Sequence, residues 1–210
     1  MISGTGPRVF LSASVPLPTR NPTYFATADV LAIRDAVRAL AIAVAEQEAE
    51  LVFGGHPAIT PMIRLQVTQA GARVGDRFVL FQSRFFTSGF PRDNASFERV
   101  ELVDEVPNDR NASLLRMREA MLADPFDIGI FIGGMEGVED EYEMFLQRQP
   151  EARAFPVAST GAAAAELFDR DPNLRRDHPE LRDEISYLTL MRGIIGPGPS
   201  STYTLSGPSI

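Results

Sequence analysis

Ile128-Gly129-Ile130-Phe131-Ile132-Gly133-Gly134 is the stretch that decides the fold, and Leu51-Val52-Phe53-Gly54-Gly55 repeats its pattern earlier in the chain. Each is a short apolar run that stops at a glycine pair and is followed by a segment with helical spacing. Paired glycines between a buried strand and a helix allow backbone angles closed to other residues. They also let a ligand approach the bare amides at a helix N-terminus. Two such turns in one small α/β domain predict neighbouring loops on one edge of a sheet, sharing a nucleotide or another phosphorylated ligand.

Around these strands the chain alternates between strand and helix patterns. Val9-Phe10-Leu11 reads as a first strand, opening into Ser12-Ala13-Ser14 and a proline-rich loop through Pro22. A long helix is predicted from about Thr27 to Glu50, because Val30, Ile33, Val37, Leu40 and Val44 recur at three- and four-residue steps. A helix from about Pro61 to Ala70 and a strand over Phe78 to Phe81 follow the first glycine pair. Residues 83–97 read as an irregular loop, and Arg99 to Val103 as a further strand. Asn111 to Leu122 fits a helix capped around Asn108 or Asn111 and ended by Asp124-Pro125. After the second glycine pair come a helix from about Val138 to Gln149 and a strand over Ala154 to Ala158. An alanine-rich helix over Thr160 to Phe168 and a last helix over Leu181 to Met191 complete the pattern.

This alternation predicts an α/β fold, Rossmann-like and doubly wound, with a mainly parallel sheet and helices on both faces. The expected organisation is a single domain over residues 1–195 and a flexible Gly/Pro/Ser-rich tail over 196–210. Ligands of such sheets bind beyond the carboxyl ends of the strands, at the switch point in strand order. Ser12, Ser14, Gly54, Gly55, Gly133 and Gly134 are expected to collect there.

Composition narrows the chemistry. The chain has 210 residues, a formal net charge of -8 and no Cys, with a sequence pI near 4.8. The acidic balance gives no electrostatic footprint for nucleic acid or an anionic membrane. Without Cys there are no disulfides, thiolate metal sites or cysteine nucleophile. All 20 Lys+Arg residues are Arg, so a Walker lysine and a Schiff-base lysine are excluded. Any phosphate clamp must use backbone amides, hydroxyls or arginine. Two histidines without Cys argue against a transition-metal site. The most apolar window, Ala39 to Ala45, is too short to span a bilayer. No secretory signal pattern is visible, and a cytoplasmic location is the expectation.

The second loop continues Gly133-Gly134-Met135-Glu136-Gly137-Val138-Glu139-Asp140-Glu141. Its early acids suit the start of a helix, where they complement the macrodipole. A carboxylate one turn further in would repel a phosphate, but it suits a ribose. It can accept sugar hydroxyls or steady positive charge at the anomeric carbon, as glycosidic cleavage requires. His56 is a candidate donor to phosphate or base, with a structural loop role as the plainer reading. The alternating charges of Asp169 to Glu184 read as a solvated face that includes His178, and Tyr142, Met144 and Phe145 as helix core.

These motifs resemble those of the SLOG superfamily, which includes the Lonely Guy phosphoribohydrolases. That family has a strand and then Pro-Gly-Gly-x-Gly-Thr-x-x-Glu. Ile132 to Glu141 matches it with one extra residue, placing Gly133, Gly134, Gly137 and Glu141 on motif positions. The earlier family motif, Gly-Gly-Gly-x-x-Gly-Leu-Met, is similar to Gly54-Gly55-His56 followed by Ile59-Thr60-Pro61-Met62. The family's arginine on the preceding helix falls between Arg116 and Arg118. Val138 stands where the family has Thr, Ile132 replaces Pro, and Glu136 adds a negative charge to the loop. These departures weaken a hydrolase reading more than a binding one.

The chain resembles divergent SLOG groups tied to bacterial conflict systems more than it resembles the Lonely Guy enzymes. That resemblance implies a domain that senses or processes a nucleotide or NAD-derived ligand such as ADP-ribose, in defence signalling. The alternative it leaves open is an N-glycosidic hydrolase, phosphoribohydrolase-like or nucleoside deoxyribosyltransferase-like. It implies Glu141 and Arg116 as catalytic residues if the chain is an enzyme. Ligand-binding residues would be Ser12, Ser14, Gly54, Gly55, His56, Met62, Arg118, Gly133, Gly134, Met135, Glu136 and Gly137. No metal and no required cofactor are implied beyond the nucleotide ligand. The expected partners are a small-molecule nucleotide, further copies of the chain as a homo-oligomer, and an effector protein encoded nearby, with no nucleic acid and no membrane.

Overall fold

A computed structural model describes residues 6–70, 72–90 and 92–196. In chain order its elements are β1 (Arg8–Ser14), α1 (Pro22–Thr27), α2 (Val30–Glu46), β2 (Glu50–Gly54), α3 (Thr60–Ala70), β3 (Phe78–Ser83), β4 (Arg99–Val103) and α4 (Arg110–Met121). Then follow β5 (Ile128–Gly133), α5 (Glu136–Arg148), β6 (Arg153–Val157), α6 (Ala162–Arg170), α7 (Pro172–Asp177), α8 (Glu180–Asp183) and α9 (Tyr187–Ile195).

The strands form one sheet in the order β4-β3-β2-β1-β5-β6, and every neighbouring pair is parallel. The chain steps outward from β1 to β4, then returns to the other side of β1 to lay down β5 and β6. Crossovers in parallel sheets are right-handed, so reversing the direction of travel moves the helices to the opposite face. Ile33, Val37 and Leu40 of α2, Ile63 of α3 and Leu190 and Met191 of α9 pack on one face with Val9, Leu51, Phe78 and Ile130. Met121 of α4, Val138, Tyr142 and Phe145 of α5 and Leu167 of α6 pack on the other with Phe10, Val52, Val79 and Phe131. Phe10 stacks on Phe145 with ring centroids 5.4 Å apart and meets Phe131 edge-on at 5.9 Å. This is the α/β doubly wound architecture that the strand–helix alternation predicts, and its switch point lies between β1 and β5.

Several boundaries differ, each for a local reason. β1 does not open at Ser12. Ser12, Ala13 and Ser14 continue the ladder opposite Phe131, Ile132 and Gly133. The long helix is two. The Asn21 side chain accepts the Thr23 N–H to cap α1, and the Asp29 side chain accepts the Ala32 N–H at 2.9 Å to start α2. Val30, in the first turn, is 43% exposed, whereas Ile33, Val37, Leu40 and Val44 are fully buried. α2 stops at Glu46, Glu48 takes φ 53, and Glu50 already belongs to β2. Within residues 83–97, Arg84–Gly89 and Arg92–Ser96 are 3-10 turns. The final helix breaks at Glu184, whose carboxylate accepts the Ser186 N–H at 2.6 Å. The charged run is not wholly solvated: it contains α7, and Leu181 of α8 is fully buried. His178 stands edge-on against Phe155. The Gly/Pro/Ser-rich tail beyond Gly196 lies outside the described residues. Among them, no helix is long and apolar enough to cross a membrane.

Candidate functional site

A cleft of about 410 Å³ opens at the carboxyl ends of β1, β2 and β5, at the switch point. Its floor is Leu11 to Ser14 and the Gly54-Gly55-His56 turn. One wall is a single face of α4, formed by Arg110, Asn111, Leu114, Met117 and Arg118 at helical spacing. The opposite wall is the start of α5, from Met135 to Val138, with Asp140 and Glu141.

Ser12 is 2% exposed and its hydroxyl has no hydrogen-bond partner among the described residues. A buried hydroxyl without a partner costs free energy in the folded chain, so one facing a cleft marks a place where a ligand completes it. α5 begins without a side-chain cap. Val138 and Glu139 donate to the Met135 carbonyl, at 2.8 and 3.4 Å. The Gly137 N–H makes no such bond among the described residues, and Met135 to Gly137, at the positive end of α5, line the cleft.

The glycine pairs themselves do something other than expected. Gly133 and Gly134 have φ of 57 and 90. Gly133 donates to Thr160 Oγ1 at 2.9 Å, and Gly134 to the Ser14 carbonyl at 2.9 Å. Neither lines the cleft. Gly55 donates to the Phe81 carbonyl at 2.9 Å, and its missing Cβ makes room for Gln82. Their amides hold the loops, and the cleft-lining amide without a hydrogen bond among the described residues is that of Gly137, in the first turn of α5.

Arg118 is engaged on every side. Its Nε donates to Glu141 Oε1 at 3.0 Å, Nη1 to Asp140 Oδ2 at 3.2 Å and Nη2 to the Gly137 carbonyl at 3.1 Å. Arg116 points elsewhere, donating to the Glu105 carbonyl at 3.3 Å from an exposed position outside the cleft. Met62 packs against the core on the α2 and α3 face and is also outside. The cleft therefore brings together Ser12, Ser14, Gly54, Gly55, His56, Arg118, Met135, Glu136, Gly137 and Glu141, and not Met62, Arg116, Gly133 or Gly134.

His56 is built into its turn. Its N–H donates to Thr60 Oγ1 at 3.0 Å, and its Nδ1 accepts the Ala58 N–H at 3.2 Å. That fixes the neutral tautomer with the proton on Nε2. Burial, and then the charge of Arg20, hold its pKa below the usual value, so it offers the cleft a neutral donor. Glu136 is exposed and accepts from Asn21 Nδ2 at 2.6 Å. That hydrogen bond, its own amide and Arg20 keep its pKa low.

Val138 is 3% exposed and packs against Gly134. A Thr there would present its hydroxyl to the same crowded contact. Sequence reasoning overlooked Arg20 and Arg110, both cleft-lining and without an ion pair among the described residues. The available signal was position, since a loop leaving the central strand and a helix entered from a strand's carboxyl end both begin at this edge.

Among the described residues no cluster of three or more His, Asp or Glu could hold a metal ion. The arrangement offers hydroxyl, amide and arginine donors beside an Arg-held carboxylate, a set suited to a phosphorylated sugar.

In comparisons with known proteins, the model of a family described as the SLOG cluster3 family matches residues 23–195. No curated protein matches the chain.

Proposed function

The chain belongs to the SLOG cluster3 family, and from that premise we propose that its cleft binds a nucleotide, with a phosphate against the start of α5 and the ribose towards Glu141. The observation that carries this reading is the buried, partnerless Ser12 hydroxyl opposite the uncapped α5 N-terminus. A buried hydroxyl without a partner is costly, and an anionic oxygen group suits both it and a helix N-terminus. Glu141 supports the ribose assignment. Arg118 occupies one of its oxygens, which leaves acceptor capacity for sugar hydroxyls.

The resemblance to divergent SLOG groups of bacterial conflict systems supports an NAD-derived ligand such as ADP-ribose and a role in defence signalling. An N-glycosidic hydrolase is the second reading. The half-buried Arg118–Glu141 pair favours it, because an oriented carboxylate beside a bound ribose can stabilise an oxocarbenium-like transition state.

Calorimetry with ADP-ribose and AMP, run beside chromatography for released base, tests both readings. Binding by the wild-type chain without turnover, weakened in Glu141→Gln, is the expected result. Base release that vanishes in Glu141→Gln while affinity holds would select the hydrolase. Failure of both nucleotides to bind would reject the phosphate site.

A further inference from the structure

We propose that Arg20, on the loop between β1 and α1, is the side-chain cation that meets the ligand's phosphate, and that the Asn21–Glu136 hydrogen bond holds it in place. The inference rests on the reading of the cleft as a phosphate site.

The chain has no lysine and His56 is held neutral, so a side-chain cation at a phosphate here is an arginine. Three arginines line the cleft: Arg20, Arg110 and Arg118. Arg118 already serves two carboxylates and a carbonyl, and redirecting it would leave Glu141 and Asp140 without their counter-ion. Arg110 lies over the Phe86 ring, 5.8 Å from its centroid. Arg20 has no ion pair among the described residues. It lines the cleft together with Ser12, His56 and the start of α5, on the loop that Asn21 ties to Glu136, and its charge lowers the pKa of both His56 and Glu136.

The loop is fixed before any ligand arrives. The Arg20 and Asn21 amides donate to the Leu17 carbonyl at 3.0 and 3.2 Å. Asn21 then uses both ends of its side chain. Oδ1 accepts the Thr23 N–H at 3.0 Å, starting α1, and Nδ2 donates to Glu136 at the first position of α5. Glu136 is the residue inserted in the glycine loop. A carboxylate beside a phosphate site is unfavourable by itself. As the anchor of the Arg20 loop it has a physical reason to be there, because a cation held at fixed distance loses little freedom when it binds.

The test uses the full chain, ADP-ribose, AMP and inorganic pyrophosphate as probes, and thermal melts to confirm folding. Arg20→Ala should weaken ADP-ribose binding about 10- to 100-fold, as expected for loss of a charge-assisted hydrogen bond. Asn21→Asp keeps the α1 cap but removes the donor to Glu136. It should also weaken binding, and adding Arg20→Ala to it should cost less than in the wild-type background. In the free protein, Arg20→Ala should raise the NMR titration midpoint of His56.

If Ser12→Ala weakens binding while Arg20→Ala does not, the Arg20 assignment is overturned and the phosphate site stands. Fully additive Arg20 and Asn21 effects overturn the anchoring role. No binding of any probe by wild type overturns the site and the assignment together.

Discussion

Ser12 sets stability against binding in a single hydroxyl. It sits in the central strand, opposite Phe131, where an alanine would satisfy the core as well or better. A buried polar atom without a partner costs about 1–3 kcal/mol. Ser12→Ala is therefore expected to raise stability, by up to about 1 kcal/mol after loss of the hydroxyl's packing. The same change should weaken nucleotide binding by about 0.5–1.5 kcal/mol, the value of one neutral hydrogen bond. Melting curves with and without ADP-ribose check both halves. A variant that melts higher when free and gains less from ligand fits the reading, and one stabilised equally by ligand removes Ser12 from the site. Arg118 illustrates the opposite condition. Its side chain is so fully used that it orders Glu141 instead of waiting for a ligand.

The turn from β5 into α5 explains both what the sequence revealed and what it concealed. The glycine pair was legible as a strand-to-helix turn, and the structure shows why no other residue serves. A Cβ on Gly134 would lie 2.3 Å from Val138 Cγ2, at φ +90, and one on Gly133 would lie 2.4 Å from Ile33 Cδ1, at φ +57. Gly134→Ala should destabilise the protein by about 2–4 kcal/mol, combining backbone strain with overpacking. Gly193, in α9, meets nothing within 4 Å at its Cβ, so Gly193→Ala should stabilise by up to about 1 kcal/mol through helix propensity. Chemical denaturation of the two variants measures the contrast, and similar effects from both would show that the turn is not under steric demand.

The strands were legible because an apolar run between turns has few alternatives, and Arg99 to Val103 was read to its true ends. The α1–α2 break and the split before α9 were not, because single side chains, Asp29 and Glu184, decide them. Arg20 and Asn21 were invisible for a different reason. Nothing local marks a loop residue whose partner, Glu136, lies 115 positions away.

Across the whole molecule the two ends of the sheet have separate tasks. At the amino end, Glu50 of β2 accepts from Arg8 of β1 at 2.6 Å and also pairs with Arg99 of β4, so one carboxylate ties strands on both sides of β3. The cleft lies at the other end, about 13 Å away along the steps of β2 from Glu50 to Gly54 at roughly 3.3 Å per residue. Burial pushes the Glu50 pKa up, but the hydrogen bonds and charges of Arg99 and Arg8 outweigh it and leave the pKa lowered. A carboxyl with a lower pKa in the folded state than in the unfolded chain contributes its full stability above the unfolded value, near 4.3. It loses that contribution as pH falls through the folded value, because the unfolded chain takes up the proton first. Glu50→Gln should therefore cost about 1–2 kcal/mol at neutral pH, discounted for partial exposure, and flatten the decline in stability below about pH 4.5. Its affinity for ADP-ribose at pH 7 should equal that of the wild type. Denaturation series from pH 3 to 7, paired with calorimetry at pH 7, read the two properties separately. A Glu50→Gln chain that melts normally but binds poorly would mean that the ends of the sheet are coupled, and that the cleft is shaped by strand registration as well as by the loops that line it.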